Sequence, residues 1–314
     1  MSILLDDPNT QTTDRPAQRL RITMAAIRVS LSWFGVRKTL TPQQRSQAAD
    51  TFGAEGSFLS AGKKLLDCKH PAYRAVTAVK GRILSYANAM SLPYPEPGLR
   101  LIRQDRIEVV NDQMNRFKEE LNEAVWRLDE HFAELKSAAR DQLGSLYNPA
   151  DYPTSLIGAF DVTWEFPSVE PPDYLRQLNP QLYEQQCQRI QERFNEAVSL
   201  AEEVFTSELA QLISHLTERL GGQEDGKPKV FRDSAIGNLQ KFFARFNDLN
   251  ISSNEELDRL VSDAQEIVQG AEPQNLRENR ALRQHVATEM SRVQSVLDGM
   301  LVDRPRRNIL RRPR

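Results

Sequence analysis

Residues 107–128 read IEVVNDQMNRFKEELNEAVWRL, and their apolar positions decide the fold class. Ile107, Val110, Met114, Phe117, Leu121, Ala124 and Leu128 are separated alternately by three and four residues. That is a heptad seam, the pattern of a long helix that buries one face against another helix. The predicted helix opens at Asp105, with Glu108 three residues on as a capping-box partner, and closes at Gly144. After Leu128 the phase shifts to Phe132, Leu135, Ala139 and Leu143, a stutter that changes the local supercoiling without ending the helix. A second seam runs through Tyr183, Cys187, Ile190, Phe194, Ala197, Ala201 and Val204. After another shift it continues through Phe205, Leu209, Leu212, Leu216 and Leu220. Asn179-Pro180 opens this second rod and Gly221-Gly222 closes it. Two rods of matched length pack most simply as an antiparallel hairpin, so the expected fold is mainly α, a long coiled-coil-like hairpin with shorter helices added.

Strands enter at two places. Phe160–Phe166 (FDVTWEF) alternates apolar and polar residues and ends at Pro167. Residues 27–33 alternate as well, although Leu20, Met24, Ile27 and Leu31 also fit a helical stripe; strand is the favoured reading. A lone strand leaves its edges unpaired, so these two are expected to pair into a small two-stranded element. Around them, Thr41-Pro42-Gln43-Gln44 starts a short helix, residues 71–91 form an amphipathic helix, and SLPYPEPGL (91–99) breaks it. Three further helices are expected near 233–248, 254–269 and 274–301. The organisation reads as a disordered segment 1–16, a basic strand-and-helix region 17–103, the hairpin 104–222 with a proline-rich insert at 145–178, C-terminal helices 223–303, and an arginine tail 304–314.

Formal net charge is −2, but the charges are segregated. Residues 1–103 carry 15 Lys/Arg against 7 Asp/Glu, whereas residues 104–222 carry 10 against 22. Either the basic ends bind an external polyanion, or they dock on the protein's own acidic helices. The candidate polyanion-binding residues are Arg304, Arg306, Arg307, Arg311, Arg312 and Arg314 of the tail, with Arg37, Lys38, Lys63 and Lys64 nearer the start. Lys63 and Lys64 belong to GAEGSFLSAGKKLLD (53–67), which superficially suggests a phosphate loop. Its glycines enclose five residues rather than four and no Ser or Thr follows the lysine, so two exposed lysines on a glycine-punctuated helix start are expected instead.

The sequence offers no catalytic set. His70, His131, His215 and His285 lie far apart, none at the spacing of a helical metal site, and read as helix-flank residues. Hydrolase elbows, zincin helices and Cys-x-x-Cys pairs are absent. Cys68 and Cys187 are expected to be reduced thiols, and no cofactor or metal is implied. No apolar stretch is long enough to span a bilayer, and the first residues lack the basic and apolar regions of a secretory signal, so a cytoplasmic protein is expected.

The strings SWFGVRK (32–38), SLPYPEPGLRLI (91–102), PSVEPPDYLRQL (167–178) and VDRPRRNIL (302–310) resemble an uncharacterised bacterial family, a domain of unknown function, over nearly the whole chain. The resemblance implies plasmids, integrative elements or phage-like regions as context, at times beside a MoxR-type AAA+ ATPase and a von Willebrand-type protein. It carries no site residues. The functional expectation is a non-enzymatic scaffold presenting its long helices to partner subunits, an AAA+ ATPase or a second copy among them. The alternative is a nucleic-acid-binding protein using the basic ends.

Overall fold

The computed structural model describes residues 16–220 and 234–302. In chain order its helices and strands are α1 (Pro16–Thr23), β1 (Met24–Ser32), β2 (Arg37–Thr39), α2 (Pro42–Asp50), β3 (Gly62–Lys64), α3 (Pro71–Ala89), β4 (Leu92–Pro93), β5 (Leu99–Arg103), α4 (Ile107–Glu130), α5 (Phe132–Leu143), β6 (Asp161–Glu165), α6 (Asp173–Leu178), α7 (Pro180–Leu220), α8 (Ser234–Leu249), α9 (Glu255–Val268), α10 (Pro273–Glu278) and α11 (Arg280–Val302). The fold is mainly α with a small β component, and both seams form helices. Segment 1–16, expected to be disordered, lies outside the described residues but for Pro16, which begins α1; so do Gly221-Gly222 and the tail 304–314.

The chain divides into two compact units that interleave in sequence. Unit 1 takes residues 1–26, 90–104 and 168–314, and unit 2 takes 27–89 and 105–167. Neither follows the expected partition at 103 and 222, because segments adjacent in sequence are covered by partners distant in it.

In unit 2, α4 buries Val110, Met114, Phe117 and Leu121, and α3 packs on it with Tyr73, Val76, Val79 and Ile83 inward. Tyr86 meets Phe117 edge-on at 5.6 Å. Each such buried Leu, Ile or Phe contributes about 1.5–3 kcal/mol. Strand β6 lies on α4 as well, with Trp164 Nε1 donating to Asn111 Oδ1 at 3.0 Å. In unit 1, the partners of α7 include α11, α1 and α8. Its core gathers Phe194, Phe205, Leu209 and Leu216 of α7 with Phe242 and Phe246 of α8 and Val286, Met290 and Leu297 of α11. The expected hairpin of rod on rod is therefore corrected. A heptad seam specifies that a face must be covered, and it leaves open which helix covers it.

The expected strand pairing forms: β1 runs antiparallel to β6, with Val29 opposite Trp164 and Leu31 opposite Val162. The sheet is larger than expected, with strand order β4-β5-β1-β6, because SLPYPEPGL supplies the turn of a β4–β5 hairpin. Pro93 sits in the two-residue edge strand, where its missing N–H costs no ladder bond. Met24, Ile27 and Leu31 lie in β1, so the favoured strand reading holds there, and of the helical stripe only Leu20 is in a helix.

Three helix boundaries differ from expectation. The first rod is broken at His131, whose φ of −93° and ψ of 0° leave the helical region. The N-cap of α4 is Arg106 without a side-chain cap bond, in place of the Asp105 capping box. The expected helix 274–301 divides at Asn279, whose Oδ1 caps α11 by accepting from Leu282 N at 3.0 Å. The capping box at Thr41 and Gln44 and the cap at Asn179 form as expected, and α9 is capped by Asn254, whose Oδ1 accepts from Leu257 N at 3.0 Å.

Candidate functional site

Four of the ten candidate cationic residues meet in a second, two-stranded sheet within unit 2. β2 and β3 pair antiparallel with Arg37 opposite Lys64, Lys38 opposite Lys63 and Thr39 opposite Gly62. The ribbon is extended at both ends, by Leu65 N donating to Val36 O at 2.8 Å and Leu40 N donating to Ala61 O at 3.1 Å. Gly62 eases a close approach: a Cβ there would stand 3.2 Å from Lys38 O. Successive residues of a strand face opposite ways, so the two cationic rungs lie on opposite faces.

The Lys38–Lys63 rung is clamped. Lys38 Nζ lies 2.5 Å from Asp151 Oδ1, and Lys63 Nζ lies 2.6 Å from Oδ2. Lys63 also donates to Leu146 O at 2.6 Å. The Asp151 and Lys63 side chains are only 2% and 5% exposed. Asp151 closes a short turn that Asn148 caps by accepting from Ala150 N at 3.0 Å, and it is flanked by the stacked rings of Tyr147 and Tyr152, 5.2 Å apart. Burial pushes its carboxyl up, but the hydrogen bonds and charges of the two lysines outweigh this and hold it below its ordinary value. One carboxylate thus answers two ammonium groups. The expectation of two exposed lysines is corrected, since Lys63 is buried and on a strand.

The Arg37–Lys64 rung is different. Both side chains are exposed, and neither makes a hydrogen bond or ion pair among the described residues. Like charges directly opposite on a ribbon destabilise it, by up to about 1 kcal/mol. A bound anion would remove that penalty.

Elsewhere in unit 2 the basic segment is neutralised by the acidic one. Arg28 pairs with Glu165 at 2.7 Å and Arg82 with Glu120 at 2.7 Å, so docking on the protein's own acids accounts for part of the charge segregation. Between α2 and β3 the chain also displays Phe52 and Phe58, 80% and 88% exposed. Sequence reasoning passed over these two rings and Asp151. The period-two signal of a three-residue strand is too short to read, and an aspartate in a loop has no distinguishing pattern.

Six of the candidates, Arg304, Arg306, Arg307, Arg311, Arg312 and Arg314, lie outside the described residues. Two histidines that are far apart in sequence come together, the rings of His70 and His131 standing 5.1 Å apart. His70 Nδ1 accepts from Ala72 N at 3.3 Å, so that nitrogen is already engaged by the backbone. Among the described residues no three potential ligands are grouped. Cys68 and Cys187 are both free thiols. In unit 1 a cleft near 490 Å³ between α8 and α9 is lined by Gln240, Asn247, Gln265 and Gln269 over Phe243, which offer hydrogen bonds but no charge. No helix among the described residues is long and apolar enough to cross a membrane.

Comparison of the chain with protein-family models, with curated proteins and with solved structures gave no match. The family resemblance therefore rests on the strings quoted above.

Proposed function

We propose that this protein binds a polyanion, nucleic acid in the first instance, and that the β2–β3 ribbon is a contact surface. The observation that carries the reading is the Arg37–Lys64 rung: two adjacent cations turned to solvent, without a carboxylate, on a ribbon whose other rung shares one. Arg37 brings a planar fork suited to phosphate oxygens and Lys64 a point charge. Contacts of this kind are independent of sequence and weaken with salt. The arginine tail would add to the same footprint. The role is one of binding rather than catalysis.

Mobility shift of DNA and RNA across a salt series tests it, comparing the full chain, Arg37→Ala/Lys64→Ala, and a chain ending at Asp303. The double variant should bind more weakly and flatten the log–log salt dependence by about two, one per lost phosphate contact. An unchanged slope would remove the ribbon from the interface.

A second reading, a scaffold for partner subunits, is favoured by a different observation. In unit 1, Tyr174 and Leu178 lie four residues apart on α6, and Leu182 follows in the first turn of α7; all three are exposed. Exposed apolar groups of this kind mark partner surfaces. A partner subunit such as the AAA+ ATPase implied by the resemblance, or a second copy, would cover them, and Leu178→Asp should abolish its capture.

A further inference from the structure

We infer that the nucleic acid taken by this module is single-stranded, with bases stacking on Phe52 and Phe58 while phosphates lie on Arg37 and Lys64. The inference rests on the polyanion reading and adds the form of the polyanion. Phe52 and Phe58 are the most exposed large apolar side chains among the described residues. Their backbone is not loose. Phe52 N donates to Ala49 O at 2.9 Å, Ala54 N to Ala49 O at 3.0 Å and Phe58 N to Glu55 O at 3.0 Å. Gly56 lies so close to α2 that an added Cβ would stand 3.2 Å from Ser46 Cα. A pinned loop thus holds two rings in water, where each forfeits the burial that aromatic side chains ordinarily gain.

The same loop runs straight into β3. Phe58 is six residues from Lys64, so their Cα atoms lie within about 21 Å even at full extension. The chemistry of the segment divides accordingly. Asp50 precedes Phe52 and Glu55 lies between the two rings in sequence, which disfavours phosphates there, while the ribbon attracts phosphates. A neutral base beside the rings and a phosphate on the ribbon satisfy both. A duplex hides its base faces, whereas a single strand exposes them, and base–aromatic stacking is tolerant of sequence. An anionic bilayer fits less well, because its headgroups would crowd the two carboxylates beside the inserting rings.

Fluorescence anisotropy with labelled oligothymidine and with a duplex of equal length tests the inference on the full chain. The wild type should prefer the single strand. Phe52→Ala/Phe58→Ala should weaken the single strand roughly tenfold or more and leave the duplex within about twofold. Phe52→Tyr/Phe58→Tyr should restore the preference. Both rings are exposed, so circular dichroism and thermal midpoint should be unchanged. In Phe58→Trp, oligothymidine should quench the indole fluorescence and the duplex should not. Equal weakening of both ligands by the alanine variant, or of neither, overturns stacking while the ribbon reading stands. Binding of phosphatidylserine vesicles that depends on the two rings, without oligonucleotide binding, overturns it in favour of a membrane. If Arg37→Ala/Lys64→Ala changes neither nucleic acid, the ribbon is not the contact surface and the reading on which this inference rests fails.

Discussion

The two long seams meet the same irregularity and resolve it in opposite ways. In unit 2, Ala124, Leu128 and Phe132 stand four residues apart in succession, and the helix breaks between α4 and α5 at His131. In unit 1, Ala201, Phe205 and Leu209 show the same spacing, and α7 continues unbroken for 41 residues. The difference comes from what lies alongside. At the break, Asp129 turns outward to hold the insert, accepting from Leu156 N at 2.6 Å and Ser155 Oγ at 3.0 Å, and Leu156 is buried. Within α7, Phe205 is enclosed by Phe242 and Phe246 at 6.2 and 5.0 Å, and Thr206 bonds back to Glu202 O at 2.7 Å. A stutter marks where a helix is under strain, and the tertiary partner decides whether it yields.

The comparison is broken most severely at the seams. Leu209→Ala in α7 and Leu121→Ala in α4 each empty a fully buried site, and each should cost about 2–5 kcal/mol in denaturant unfolding. A loss under about 1 kcal/mol would show that seam to be open. Next comes the clamp on the ribbon: Asp151→Asn should cost about 2 kcal/mol, less than a fully buried pair because Lys38 is largely exposed. The pH dependence has a definite sign. The folded carboxyl sits below its ordinary value of 3.8, so its contribution is complete above that range and is lost as pH falls through the depressed value. Wild type should therefore lose stability on the acid side more steeply than Asp151→Asn, and parallel acid limbs would contradict the assignment. Asp129→Ala should cost about 1–2 kcal/mol and speed amide exchange at Leu156, which sharpens the account of the break. Smallest is Thr206→Val, expected within about 1 kcal/mol of wild type, since a hydroxyl bonded to the carbonyl four residues back adds little to a helix already packed around Phe205.

Local signals were the legible ones. Thr41-Pro42 with Gln44 and Asn179-Pro180 each announce a helix start through a side chain that satisfies a nearby N–H, and both stand where read. The 27–33 and 160–166 pairing was legible because alternation leaves each strand one buried face and an unpaired edge. Choice of partner was not legible. Nothing in the spacing of Val110 and Met114 distinguishes Val76 from a residue of the second rod, since any apolar ridge fits. The ribbon was half visible: its four cations stood out, but Lys63 was read as exposed because its acceptor, Asp151, is 88 residues away.

The packing of α1 on α7 bears on how the chain is made. Thr23 leaves the ribosome well before Pro180, and at ordinary synthesis rates the interval is on the order of ten seconds. Unit 2 has all of its residues by Pro167, so it can close while Ala17 and Leu20, both bound for the core of unit 1, still lack the helix that covers them. Ala17 and Leu20 are thus made well before the helix that buries them, an order that exposes them to chaperones or to a neighbouring nascent chain in the meantime.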